Sequence, residues 1–285
     1  MGATSCRRRT CEARARRRVF RKRGFANGTS IRQFLPMKTF RPGTIGLLLL
    51  CSALLAPVTR AAENPTPMLG TAAPATWHFL APGAVDFARI LPPPPGPDSI
   101  TAQADLEAVL QVQAARTPEQ EAWAKFNEKD DLFGYRRVLG DWFTAANLPV
   151  TAEFFKQVTS DSAVASSAIK NLYSRPRPPK LDARVQPCVD LPKTGGYPSG
   201  HAMRAELRAV LLAEIFPEKK IELAEFARNA GWSRVIGGVH FPTDVKAGKF
   251  LADALVVELL KNPAVRAAIE KCRAEAQPFR LKKAA

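Results

Sequence analysis

The 285-residue sequence predicts an all-α protein, and three observations support that fold class. Apolar residues recur at three- and four-residue steps from residue 99 onward, as on the buried face of a helix. Prolines preceded by capping residues stand where several of these segments begin. No run alternates apolar and polar residues as a half-buried strand does. With 46% apolar residues, the chain can build a core of its own. We therefore expect one helical domain over residues 99–285.

Three segments precede the predicted domain. Residues 1–36 hold eleven Lys and Arg against one acidic residue, which indicates a basic disordered extension or a start codon assigned upstream of the true one, Met37. Residues 37–62 have the layout of a signal peptide, with a positive start, an apolar run over Thr44–Val58 and small residues after it. This run is shorter than the roughly 20 residues of a membrane span. Residues 63–98 are rich in Pro, Ala and Gly and predict a linker or surface wrap without helix. The sequence thus predicts a periplasmic or secreted protein with no stable membrane span in its mature form.

The net charge of +16 is concentrated before the predicted domain. Residues 63–285 carry 28 basic and 25 acidic residues, so the body of the chain is nearly neutral. A nucleic-acid partner is therefore not required by the charge.

Local signals divide the domain into helices. Ser99 caps one predicted helix, and Thr117 followed by Pro118 begins the next. Prolines after residue 175 end helical structure, and residues 180–197 form a loop. The remaining predicted helices cover 130–144, 147–159, 161–173, 199–216, 217–236 and 242–260, with a short one after Pro263.

Two cysteines, Cys188 and Cys272, lie in the predicted domain. In an oxidising compartment they would either pair or remain separate buried thiols, and the sequence does not decide between these alternatives. Their spacing is not that of a metal site.

A first polar cluster lies at the end of the 161–173 helix. Lys170 and Arg177 are about two helical turns apart, although Pro176 places Arg177 in the turn beyond the helix. Two such cations suit the oxygens of a phosphate. Taken alone, they also fit a basic helix end that complements the helix dipole.

A second cluster runs from Gly195 to His201. Its glycines and Pro198 predict a tight turn that leads into a helix, where free backbone N–H groups attract anions. Ser199 can cap that helix or donate to an oxygen, and Gly200 allows close approach of the backbone. The alternative is an ordinary helix N-cap followed by an incidental histidine.

A third cluster runs from Ser233 to Asp244. Arg234 precedes a helix end, His240 precedes the next helix start, and Asp244 follows four positions later. A carboxylate on one ring nitrogen would leave the other free as a base or nucleophile. Alternatively, Asp244 only caps its helix and His240 is a loop residue.

Together the clusters resemble the three-part signature of the type 2 phosphatidic acid phosphatase (PAP2) superfamily. That signature is Lys-x6-Arg-Pro, Pro-Ser-Gly-His and Ser-Arg-x5-His-x3-Asp, and each part is complete here. The chain looks most like the bacterial class A nonspecific acid phosphatases, although Gly196, Ala202 and Gly237 replace the Ser, Thr and Cys frequent there. The resemblance covers roughly residues 98–260 and implies a helical bundle of the PAP2 and vanadium haloperoxidase type.

The resemblance also implies an activity, namely metal-independent hydrolysis of small phosphate esters with no cofactor. His240 would attack phosphorus and form a phosphohistidine, and Asp244 would hold its tautomer. His201 would protonate the leaving oxygen and then activate water, which predicts an acidic optimum. The phosphoryl oxygens would be bound by the remaining signature residues, Lys170, Arg177, Ser199, Gly200 and Arg234.

Three alternatives remain open at this point. A vanadium-dependent haloperoxidase would use the same cradle for vanadate, but such chains are usually much longer. A lipid phosphate phosphatase of this superfamily usually carries several membrane spans. A non-catalytic binder of phosphate or nucleic acid would not need the His-Asp pair. The physiological substrate and the oligomeric state, including a homo-oligomer, are not determined by the sequence.

Overall fold

The computed structural model describes residues 77–284, and no strand occurs within that range. The predicted all-α class is therefore confirmed. In chain order the helices are α1 (Phe87–Ile90), α2 (Ile100–Ala114), α3 (Pro118–Glu128), a 3-10 turn (Leu132–Tyr135), α4 (Arg136–Leu139), α5 (Pro149–Tyr173), α6 (Pro178–Leu181), α7 (Gly200–Ile215), a second 3-10 turn (Pro217–Lys219), α8 (Lys220–Ile236), α9 (Pro242–Lys261) and α10 (Pro263–Ala284).

Helix α7 lies at the centre of the bundle and packs against α5, α8, α9 and α10. Its apolar residues are not confined to one narrow stripe, and most of them, from Ala202 to Ile215, are buried. Gly248 of α9 permits a very close approach to α7, because a methyl group there would lie 2.5 Å from the backbone oxygen of Ser199. The start of α7 is thereby held against the start of α9, where the second and third clusters lie.

Capping residues begin helices where the sequence predicted. The side chain of Ser99 accepts from the backbone N–H of Ala102 at 3.1 Å. At α3, the hydroxyl of Thr117 accepts from the N–H of Gln120, and the Gln120 side chain accepts from the N–H of Thr117 at 3.0 Å. This reciprocal capping box satisfies two donors that the first turn leaves unpaired.

Four boundary predictions are wrong. The loop predicted over 180–197 begins only after Leu181, because Pro178 starts the short helix α6. The expected helices over 147–159 and 161–173 form one continuous helix, α5, and the expected short helix after Pro263 extends to Ala284. Only the 3-10 turn and α4 are helical within 130–144. Asp161, which lies where the two predicted helices would meet, is fully buried in α5 and binds a distant segment of the chain.

That segment lies within residues 63–98, which were expected to contain no helix. The structure describes this segment from residue 77 onward. It contains the four-residue helix α1, so the prediction of no helix is wrong for that one turn. The carboxylate of Asp161 accepts the backbone N–H groups of His78, Phe79 and Leu80 at 2.7, 2.8 and 2.9 Å. Leu80 and Leu91 are buried in the main core, so this part of the chain packs on the domain. The predicted basic extension, the signal peptide and residues 63–76 lie outside the described residues.

Cys188 and Cys272 are separate thiols, which answers the question that the sequence left open. None of the helices within residues 77–284 is both long enough and apolar enough to cross a bilayer.

Candidate active site

The three polar clusters meet at one end of the bundle. The end of α5 and the turn after it carry the first, the loop leading into α7 carries the second, and the junction of α8 and α9 carries the third. Backbone hydrogen bonds join them directly. The N–H of Gly196 donates to the carbonyl of Arg175 at 2.8 Å, and the N–H of Ser199 donates to the carbonyl of Asp244 at 2.9 Å.

His240 occupies the interior of this site with 1% of its surface exposed. Its Nδ1 lies 3.3 Å from Oδ2 of Asp244, and its Nε2 lies 2.9 Å from Nη1 of Arg177. Because a guanidinium can only donate, Nε2 must be the acceptor, and the ring proton of the neutral imidazole must be on Nδ1 facing the carboxylate. Burial, opposed by Asp244 and reinforced by Arg177 and Lys170, lowers the pKa of His240 to about 3.

Asp244 both caps its helix and contacts His240. The helix-cap role and the histidine contact, which the sequence analysis treated as alternatives, therefore occur at the same time. Its Oδ2 accepts the backbone N–H of Phe241 at 2.9 Å, in addition to facing His240. Burial would raise the pKa of this carboxyl, but the hydrogen bond from His240, the charge of Arg175 and the N–H of Phe241 outweigh burial and keep the pKa below its usual value. The carboxylate is therefore ionised and fixed.

Three cations lie in this site, and one of them, Arg177, donates to Nε2 of His240. Lys170 donates to the carbonyls of Gly195 and Pro198, each at 2.7 Å. Arg177 is buried and donates to the carbonyls of Thr194 and Val239, each at 2.8 Å. Arg234 is 1% exposed, and its Nε and Nη1 have no hydrogen-bond partner in the described chain.

Burial and mutual repulsion lower the pKa values of these cations. Burial first, then the charge of Arg177, lowers the pKa of Lys170 to about 7. Burial likewise lowers the pKa of Arg177 to about 10 and shifts that of Arg234 downward. Buried donors that lack an acceptor are costly unless an anion satisfies them, so the cluster is suited to bind one.

Ser199 and Gly200 form the helix start that the sequence predicted. The Ser199 hydroxyl is buried and accepts the N–H of Ala202 at 3.4 Å, so it is the N-cap of α7. Gly200 is the first residue of the helix and lies beside the guanidinium of Arg204. The free N–H groups of this first turn add to the positive potential of the site.

His201 follows one residue later and faces a cavity of about 430 Å³. Its Nε2 lies 3.1 Å from the carbonyl of Glu128, which can only accept, so Nε2 carries a proton. Burial, then the charge of Arg234, lowers the pKa of His201 to about 4, although the nearby Asp130 opposes the shift. The third histidine, His78, is exposed and belongs to the segment bound by Asp161.

Sequence reasoning missed an ion-pair network behind Asp244. Arg175, 7% exposed, donates to Oδ1 of Asp244 at 2.6 Å and to Oδ2 of Asp105 at 2.9 Å. It also donates to the hydroxyl of Thr243 at 2.7 Å and lies 4.4 Å from the ring centroid of Phe241. One signal was available, since Asp105 stands next to the apolar positions that mark the buried face of α2.

A second missed group lies on the cavity side of His201. Asp130, with φ of 51°, accepts from Nε of Arg204 and, at 2.7 Å, from Nη1 of Arg208. Arg204 and Arg208 stand on α7 one and two turns after His201. No signal in the sequence links them to Asp130, which is more than 70 positions away.

Comparisons with known proteins agree with this geometry. A family model described as the PAP2 superfamily matches residues 156–264, which include all three clusters. The non-specific acid phosphatase of Salmonella typhimurium is 32% identical over 196 residues, covering 65% of this chain and 78% of that protein. This chain belongs to the PAP2 superfamily. A second relative, the non-specific acid phosphatase of Providencia stuartii, is 28% identical over 221 residues, and the match covers 72% of this chain and 86% of that protein.

Among solved structures, the holo-type bacterial vanadium-dependent chloroperoxidase superposes with a TM-score of 0.51 at 14% identity. The match covers 68% of this chain and 54% of the chloroperoxidase chain. At this identity the likeness concerns the fold, and it agrees with the all-α bundle expected from the signature.

Proposed function

We propose that this protein is an exported acid phosphatase that hydrolyses small phosphate monoesters through a phosphohistidine on His240. Its membership of the PAP2 superfamily and its relatives named non-specific acid phosphatase support a phosphatase. One observation carries the proposed mechanism: the Nε2 atom of His240 presents a lone pair within a cluster of buried cations, while Nδ1 faces Asp244. A nucleophile is thereby set where a phosphoryl group would be held.

In the proposed first step, Nε2 of His240 forms a bond to phosphorus as the bond from phosphorus to the ester oxygen breaks. The leaving oxygen takes a proton from His201. In the second step, water attacks phosphorus, the bond to Nε2 breaks, and His201 takes the proton of the water. Asp244 stabilises the positive charge that His240 acquires in between, as a carboxylate does in other His-assisted enzymes.

The phosphoryl oxygens would be bound by Lys170, Arg177 and Arg234, together with Ser199 and the N–H of Gly200. Phosphoryl transfer requires mainly positioning and stabilisation of charge on the equatorial oxygens. The unpartnered Nε and Nη1 of Arg234 are donors of this kind. Three cations supply the charge that a metal ion supplies in other phosphatases, so we propose catalysis without a metal.

An acidic optimum is consistent with the two histidine pKa values. With a pKa of about 3, His240 keeps its lone pair in moderately acidic solution. His201, with a pKa of about 4, needs acid to be protonated, and a bound phosphate dianion would raise that pKa by offsetting the charge of Arg234. Because Nε2 of His201 already carries a proton toward Glu128, Nδ1 would be the atom that gains and loses the catalytic proton.

The activity is tested by phosphate release from p-nitrophenyl phosphate and an alkyl phosphate, with EDTA present. We expect activity with EDTA, loss of it in His240→Ala, and no change in the control variant His78→Ala, whose histidine is exposed outside the site. Rapid quenching of wild type should trap a protein phosphate that is stable to alkali and labile to acid, and His240→Ala should trap none. Activity retained by His240→Ala would refute the nucleophile. Halide oxidation with added vanadate in place of phosphate release would favour the haloperoxidase alternative.

The role of His201 is tested by leaving-group dependence. His201→Ala should lose much more activity on the alkyl phosphate than on p-nitrophenyl phosphate, because p-nitrophenolate leaves without needing a proton. Equal activity of His201→Ala and wild type on the alkyl ester would refute the acid role.

Export rests on the predicted signal peptide of residues 37–62. Expression of the full chain in a Gram-negative host should place phosphatase activity in the periplasm or medium. The N-terminus of the mature protein should lie near residues 60–63. A cytoplasmic enzyme that retains the apolar run would refute export.

Gel filtration of the mature protein tests for a homo-oligomer.

A further inference from the structure

Arg204 presents two free donors at the mouth of the proposed phosphate cradle. Its Nε is bound to Asp130, and the described part of the chain offers no hydrogen-bond acceptor to its two terminal nitrogens. A methyl group placed on Gly200 would lie 3.1 Å from Nη1 and 3.6 Å from Nη2 of Arg204. The guanidinium therefore lies against the first turn of α7, and 18% of the side chain reaches solvent.

Arg208 continues the positive surface away from the cradle. It is 8% exposed, donates through Nη1 to Asp130, and has a buried Nε without a partner. One carboxylate thus fixes two guanidinium groups and leaves an excess of one positive charge. An unpartnered buried donor beside a cavity is satisfied when an anionic group enters.

The cavity beside His201 also carries a net positive charge. Its charged lining consists of four cationic side chains and two carboxylates: Lys125, Lys129, Arg136, Arg208, Asp130 and Asp131. If His201 protonates the leaving oxygen, the leaving group extends into the cavity that His201 lines. Arg208 lines this cavity, and Arg204 binds Asp130, which also lines it. Through this shared carboxylate both guanidinium groups lie on the side of His201 toward which the leaving group would extend.

We propose that Arg204, supported by Arg208, forms a second anion-binding subsite that selects phosphate monoesters whose leaving group carries its own negative charge, such as a carboxylate or a second phosphate. This inference rests on the proposed phosphatase function and on the role of His201. Arg204 is a specificity-determining residue in this scheme, since it contacts the leaving group and not the atoms that react.

Two substrates that differ in one group test the inference. At pH 5, 3-phosphoglycerate carries an ionised carboxylate where glycerol 3-phosphate carries a neutral hydroxymethyl group. The ratio of kcat/KM for these esters is measured in wild type, Arg204→Gln, Arg204→Lys and Arg228→Gln. Arg228 is an exposed arginine of α8 and serves as the control for net charge. The ratio is insensitive to any loss of folded enzyme, because both substrates are hydrolysed by the same sample.

We expect wild type to prefer 3-phosphoglycerate, Arg204→Gln to lower the ratio about tenfold, as for the loss of one charge-assisted hydrogen bond, and Arg204→Lys to retain part of it. Arg228→Gln should leave the ratio unchanged. A ratio unaffected by Arg204→Gln would overturn the inference. If kcat/KM fell equally for both esters while the ratio stayed the same, Arg204 would belong to the phosphoryl cradle instead. If wild type releases phosphate from neither ester nor from p-nitrophenyl phosphate, the proposed function itself fails.

Discussion

Replacing Arg175 by methionine should destabilise the fold, because Arg175 is the cation that pairs with two buried carboxylates. Asp105 is 4% exposed and Asp244 is fully buried, and Arg175 bonds to both at 2.9 and 2.6 Å. Methionine fills much of the volume but leaves both carboxylates without their cation. Removing one partner of a buried ion pair costs about 3–5 kcal/mol, and we expect the free energy of unfolding at pH 7 to fall by about that amount.

The charge origin of this loss gives it a pH dependence. An unpaired buried carboxylate has a raised pKa, so it can become neutral by taking up a proton in mild acid. The difference in unfolding free energy between wild type and Arg175→Met should therefore be larger at pH 7 than at pH 4.5. Denaturant unfolding followed by circular dichroism at the two pH values measures this difference.

Activity should fall as well, for a separate reason. Arg175 holds Oδ1 of Asp244, while the other oxygen faces His240. Loss of a supporting contact of this kind lowers activity about 10- to 100-fold, and we expect the loss in kcat with KM nearly unchanged. The control is Arg184→Met, which removes an exposed pair with Asp182 and should alter neither stability nor activity. Unfolding free energy of Arg175→Met within about 1 kcal/mol of wild type at pH 7 would refute the reasoning.

Three further predictions concern the helix contact and the His-Asp pair. Gly248→Ala should lower the unfolding free energy by about 1–3 kcal/mol, because the added methyl group would lie 2.5 Å from the backbone oxygen of Ser199. The control Gly96→Ala, whose methyl group would have no atom within 4 Å, should leave the unfolding free energy unchanged in the same denaturant titration. Asp244→Asn should lower kcat about 10³–10⁴-fold on p-nitrophenyl phosphate by removing the carboxylate that fixes the tautomer of His240, and a kcat within tenfold of wild type would contradict this. Folding lowers the pKa of His240 from 6.5 to about 3, so the unfolded chain takes up the proton first as the pH falls. The free energy of unfolding should therefore decline from pH 6.5 toward pH 4 by up to about 1.4 kcal/mol per pH unit. The variant His240→Gln, which lacks this proton site, should show a shallower decline.

The helical class and several helix starts followed from the sequence because their causes are local. The caps of Ser99 and Thr117 bond to N–H groups three residues away, so the residues that decide them are adjacent in the chain. The spacing of Lys170 through Asp244 likewise indicated one phosphate site. That these residues meet around His240 is a finding, whereas their catalytic roles stay predictions until the variants are measured.

The length of α5 depends on contacts with residues that are distant in the chain. The sequence predicted two helices, over 147–159 and 161–173, where the structure has the single helix α5. A carboxyl group is expensive to bury in the middle of a helix unless it has partners. Asp161 has such partners in three N–H groups that lie 81 to 83 positions earlier in the chain. No local pattern contains that information, so the continuity of α5 became apparent only in the folded chain.

The sequence by itself therefore determined the all-α fold class, and it predicted the residues that would bind and attack a phosphate. The tertiary structure decided which charges support them. Arg175 meets Asp105 and Asp244 from 70 and 69 positions away, and Arg204 meets Asp130 across 74. Charges are strongly coupled in a buried site, where solvent screening is weak, so the partner of each charge is set by packing and not by its neighbours in the chain.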